Sequence, residues 1–169
     1  MAVLHFLKCY RWPILTFAVI ALLGYGARQA IGTVYGAAEA VDLLDALSRA
    51  GLYLGSAIAT ASATTIALML TLIGMIRRMD QDFDRLAYRN VELVARLSTI
   101  TLLIALLLLM AFSLPIGQFD ELPKGWFETL YNGLFAASVV MVGFAGSTVV
   151  LIYTTLVKVI AKITPSDSI

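Results

Sequence analysis

The chain has 169 residues, 60% of them hydrophobic and 14% charged, against about 45–50% apolar and about 25% charged in an average soluble domain. A surface this apolar excludes a free-standing aqueous globule. The net charge of +1, from 12 Lys and Arg against 11 Asp and Glu, gives no basic face for nucleic acid. With one cysteine, Cys9, and one histidine, His5, neither an intrachain disulfide nor a two-histidine haem or ordinary zinc site is expected within one chain.

Residues 1–12 mix Val3, Leu4, Phe6, Leu7 and Tyr10 with His5, Lys8 and Arg11. The pattern suits a short amphipathic helix at the headgroup level, or simply the first turns of helix one. Lys8 and Arg11 ahead of the apolar run 14–23 resemble a secretory signal, and the segment is expected to be retained as an anchor.

Four nearly charge-free apolar runs follow, each long enough to cross a hydrocarbon core of about 30 Å, which takes about 20 helical residues. The expected fold is all-α: one polytopic membrane domain with four transmembrane helices and the lipid bilayer as its first partner. Helix one is expected over 13–36, where Pro13 suits a first turn that needs no N–H partner. Arg28 stands about 22 Å beyond Pro13 at 1.5 Å per residue, within snorkelling reach of water. Glu39, Asp42, Asp45 and Arg49 then punctuate residues 37–50, with Val41, Leu44 and Leu47 opposite. This stretch is expected to lie along the membrane surface as a short amphipathic helix.

Helix two, 51–76, carries no charge and ends at Arg77 and Arg78; three acids within 80–84 mark the turn. Phe83, Leu86, Asn90, Leu93, Leu97 and Ile100 follow a three-four spacing, which predicts that helix three starts well outside the membrane. Arg85, Arg89, Glu92 and Arg96 would decorate its wet side, with Glu92 and Arg96 a favourable i, i+4 pair. Its bilayer portion, 97–116, stops near Pro115 and Gly117. A loop with Phe119 and Trp126 placed for an aromatic belt leads to helix four, 128–157, closed by Lys158 and Lys162.

Basic residues set the orientation. Lys8, Arg11, Arg77, Arg78, Arg85, Arg89, Arg96, Lys158 and Lys162 fall on one side, and Arg28, Arg49 and Lys124 on the other. The positive-inside rule predicts both termini and the linker 77–96 in the cytoplasm; the membrane is expected to be a bacterial inner membrane.

Two faces stand out as candidate sites. On helix one, Gly24, Arg28, Gly32 and Gly36 recur at i, i+4, with Tyr25 and Gln29 beside them. The glycines suit close helix packing. Arg28 would then be either a charge at the outer mouth of a pore or a snorkelling group paired with an outer acid such as Glu39 or Asp42. On helix two, Ser56, Thr60 and Thr64 are spaced by four and Thr71 returns to the same side, flanked by Ser62 and Thr65. Such a charge-free hydroxyl face could line a pore, or its hydroxyls could bond their own helix and neighbouring helices.

No carboxylate falls within an expected span, and neither a glycine-rich phosphate loop nor a nucleophile elbow occurs. Glu39, Asp42 and Asp45 could gather on one face, as a cation site or as a merely solvated surface. Neither enzymatic activity nor a cofactor is expected. Gly32-Thr33-Val34-Tyr35-Gly36, followed by Ala59-Thr60-Ala61, resembles motifs of the TolQ and ExbB proton-channel proteins, with agreeing helix directions. The resemblance covers residues 32–61. The large cytoplasmic loop before the first motif is missing and a further hairpin has no counterpart, so no residue role is carried across. Four helices are too few to enclose a wide hydrated path. The functional expectation is therefore a homo-oligomer forming a passive ion channel; the alternative is a non-catalytic accessory or scaffold subunit beside other membrane subunits.

Overall fold

The computed structural model describes residues 11–34, 40–76, 85–114 and 124–163. Within them the chain forms four helices and no strand: α1 (Arg11–Val34), α2 (Ala40–Ile76), α3 (Arg85–Ser113) and α4 (Lys124–Ile163). All four are long and apolar enough to cross a membrane. At 1.5 Å per residue the 37 residues of α2 and the 40 of α4 extend about 55 and 60 Å, so each must tilt or overhang a core of about 30 Å.

The amphipathic stretch expected as a separate surface helix is, from Ala40 onward, the opening of α2. The break expected at Gly51 does not occur. A helical glycine costs only about 1 kcal/mol, and the turns before it are held. Asp45 and Arg49 pair at 2.7 Å, while Leu44 is buried and Leu47 packs beside it. Gly51 earns its place by closeness: a Cβ there would collide with the Phe112 ring. The expected N-terminal surface helix lies outside the described residues, apart from Arg11 and Trp12, which open α1.

The main helix contacts are α2 with α3, α1 with α4, and α3 with α4; α2 meets α4 less extensively. Helix α1 thus rests on α4 alone to any extent. Gly51 against Phe112 and Gly55 against Leu109 run α2 antiparallel to α3. Pro13 with Ser147 and Arg28 with Asn132 run α1 antiparallel to α4. The main core, Leu44, Ala105, Leu108, Phe112, Leu134 and Met141, lies among α2, α3 and α4. Of the candidate spans in α1 and α2 only 6% is buried, against 28% in α3 and 33% in α4, so α3 and α4 are the centre and the other two the flanks.

The buried seam of α3 differs from the one its leucines suggest. Val91, Val94, Ser98, Thr101, Ala105, Leu108 and Phe112 are buried at strict three-four spacing, the geometry of knobs-into-holes packing. Leu93 and Leu97 are only half-buried, while Ile100, Leu103, Leu106, Leu107 and Met110 are exposed. In oil, apolarity does not drive side chains inward; small and hydroxylated residues mark the contact because they let backbones approach.

Candidate functional site

Both faces singled out in the sequence belong to the flanking helices. On α1, Arg28 is exposed, and its Nε donates to Asn132 Oδ1 of α4 at 3.1 Å. Beside it the Gln29 amide donates to the Tyr25 hydroxyl at 2.9 Å. Asp45 pairs with Arg49 and Glu92 with Arg96, whereas the partner of Arg28 is the uncharged Asn132 amide. Glu39 and the Asp42 side chain, its expected acidic partners, lie outside the described set.

Gly24 sits against α4, where an added Cβ would come within 2.6 Å of both Val139 methyls. Gly32 is part of α1 with its surroundings undescribed, and Gly36 lies outside the described residues. The close approach of α1 to α4 is extended by glycines that sequence reasoning missed. Gly143 lies under the Phe17 ring and Gly146 under Ile20, and Phe17 and Phe144 meet at 5.3 Å. Ser147 is buried between the helices, its Oγ 2.9 Å from Pro13 O and 2.8 Å from Gly143 O. The nearby glycines of α4 were a usable signal, as was the Gly51-x-x-x-Gly55 spacing of α2.

On α2, Ser56, Thr60, Thr64 and Thr71 share an exposed face with Ala63, Ala67 and Tyr53. Each hydroxyl donates to its own helix: Ser56 to Tyr53 O at 3.0 Å, Thr60 to Ser56 O and Thr64 to Thr60 O at 2.9 Å, Thr71 to Ala67 O at 3.0 Å. Their donors are therefore spent, and each oxygen keeps only accepting capacity. The stripe points away from the bundle, so a single protomer encloses no path along it. Nor does one protomer join it to Arg28, because α1 and α2 scarcely touch.

The interior has a different polar set: Ser62, Asn90, Ser98, Thr101, Ser138, Ser147 and Thr148 are buried. Thr101, Ser138 and Thr148 bond carbonyls one turn back. Ser98 Oγ is buried without a hydrogen-bond partner among the described residues. Two grooves open on the surface. One, of about 580 Å³, runs along Arg11, Trp12, Ile14, Leu15 and Ala18; the other, of about 430 Å³, is lined by Thr129, Leu130, Gly133 and Leu134. Among the described residues no three His, Cys, Asp or Glu side chains gather as metal ligands would. The chain matches no protein-family model, no curated protein and no solved structure.

Proposed function

We propose that this small membrane protein works as a homo-oligomer in which the exposed faces of α2 from several copies surround a hydrated path, making a passive ion channel. The observation that carries this reading is the outward stripe of Ser56, Thr60, Thr64 and Thr71 on a helix with little of its surface covered. Small side chains there permit close helix approach. Hydroxyl oxygens with their protons already donated offer acceptors to water and cations, so the path would favour cations over anions. The protein is taken to be non-enzymatic and free of cofactors. The distribution of Lys and Arg supports an orientation with both termini cytoplasmic, and the membrane is taken to be a bacterial inner membrane. The first turns of α3 then stand in the cytoplasm.

The test is the native mass of the purified complex together with ion flux in liposomes. A complex of several identical copies that conducts cations, with flux reduced roughly tenfold by Thr64→Leu, is the expected result. A second reading, an accessory or scaffold subunit, draws on the exposed flank of α1, where Leu22, Leu23 and Tyr25 are uncovered. It predicts an inert reconstitution and co-purification with a different membrane protein at fixed stoichiometry.

A further inference from the structure

Arg28 combines three properties that together call for a ligand. It lies 17 residues beyond Arg11 on one helix, about 26 Å along its axis at 1.5 Å per residue, which puts the guanidinium near the far boundary of a core of about 30 Å. The Nε bond to Asn132 ties an α1 side chain to α4 and so restrains the guanidinium. Of its five N–H donors, that bond uses one. The pair of Nη groups at the end has no carboxylate and no second hydrogen-bond partner among the described residues. Paired N–H donors of this kind match two phosphate oxygens.

An apolar groove begins one helical turn from Asn132, the residue that holds this cation. Thr129 lies one turn before Asn132 on the same face of α4, and the groove of about 430 Å³ continues over Leu130, Gly133 and Leu134. It is open where Gly133 lacks a side chain: a Cβ there would meet nothing within 4 Å. A cation near headgroup depth, held one helical turn from an apolar furrow, fits a molecule with an anionic head and a hydrocarbon tail.

We propose that Arg28 and this groove form a binding site for an anionic glycerophospholipid, the Nη pair on its phosphodiester and the groove against its glycerol and upper acyl chain. Asn132 acts as a positioning residue that holds the guanidinium and does not touch the lipid. The site does not depend on the pore reading, since a lipid can be retained whether or not the assembly conducts.

The experiment is lipid retention by the purified full chain in neutral detergent, read by native mass spectrometry with added phosphatidylglycerol, phosphatidylcholine or inorganic phosphate. Wild type is expected to prefer phosphatidylglycerol. Arg28→Gln should weaken retention roughly tenfold, about 1.4 kcal/mol; Asn132→Ala and the groove-filling Gly133→Leu should each weaken it several-fold. Arg96→Gln, whose residue pairs with Glu92 elsewhere on the surface, should leave it unchanged. The assignment is overturned if Arg28→Gln and Asn132→Ala, as folded proteins, retain phosphatidylglycerol like wild type. It is equally overturned if Arg96→Gln lowers retention as much, if phosphatidylcholine is held equally well, or if millimolar inorganic phosphate displaces the lipid, which would make this a site for free anions.

Discussion

Ser147 Oγ lies 2.9 Å from the carbonyl oxygen of Pro13, a residue 134 positions earlier in the chain. Its single proton is shared with Gly143 O at 2.8 Å, so this hydroxyl both satisfies its own helix and ties α4 to the first turn of α1. Hydrogen bonds between membrane helices average about 0.6 kcal/mol and reach about 1.7. Ser147→Ala is expected to destabilise the protein within that range, measured as a lowered unfolding midpoint in detergent. An unchanged midpoint would mean that the bond to Pro13 adds nothing to helix association.

Gly24 and Gly26 provide a matched pair on one helix. An alanine Cβ at Gly24 would come within 2.6 Å of both methyls and 3.2 Å of the Cβ of Val139, a stiff β-branched side chain, whereas at Gly26 it would meet nothing within 4 Å. Gly24→Ala should cost about 1–3 kcal/mol, as overpacking does, and Gly26→Ala should cost nothing. Adding Val139→Ala to Gly24→Ala should recover most of the loss. Thermal melts of the four proteins decide it: equal behaviour of the two glycine variants would contradict the packing described.

How much of this was legible beforehand depends on what the solvent reveals. The four helices could be seen in the sequence because each apolar run is long and uninterrupted, a property that oil demands of any spanning segment. Which face of a helix turns inward was not legible from apolarity. The leucines at 93 and 97 and Ile100 suggested the contact side of α3, yet Val91, Val94, Ser98 and Thr101 make it. Small residues were the better guide. Gly24 was singled out on that ground, while Gly51, Gly55, Gly143 and Gly146 carried the same signal unread. The junction of α2 was misjudged because the charges within 37–50 suggested a separate surface helix, whereas α2 runs unbroken from Ala40 and the Phe112 ring packs on the hydrogen-only surface of Gly51. No local pattern pointed to Asn132, whose partner Arg28 lies 104 residues away.

Ser98 leads to a prediction of unusual sign. Its hydroxyl is buried without a partner among the described residues, a condition that costs about 1–3 kcal/mol of desolvation. Ser98→Ala removes the polar atom and only a small volume, so the unfolding midpoint should stay constant or rise. A clear fall would reveal an ordered water or a rearranged partner bonded to this oxygen.

Thr64 separates folding from function. Its side chain is exposed and its hydroxyl bonds Thr60 O within the same helix. Thr64→Val keeps the branched shape, so the melting midpoint should move by less than about 0.5 kcal/mol equivalent. If α2 lines a channel, the same substitution should cut cation flux severalfold in liposomes. A full flux from Thr64→Val together with Thr60→Val would remove the hydroxyls from the conduction path.

Because α1 rests on α4, the earliest made of these four helices docks against the latest made. Until the region around Ser147 has been synthesised, α1 has neither its hydrogen-bonded partner nor the glycines that receive Phe17 and Ile20. The nascent chain must therefore carry an unpaired opening helix through the insertion of the two that follow. A polypeptide truncated before α4 would keep its α2–α3 hairpin but leave α1 adrift in the lipid, exposed to membrane proteases that survey unassembled segments.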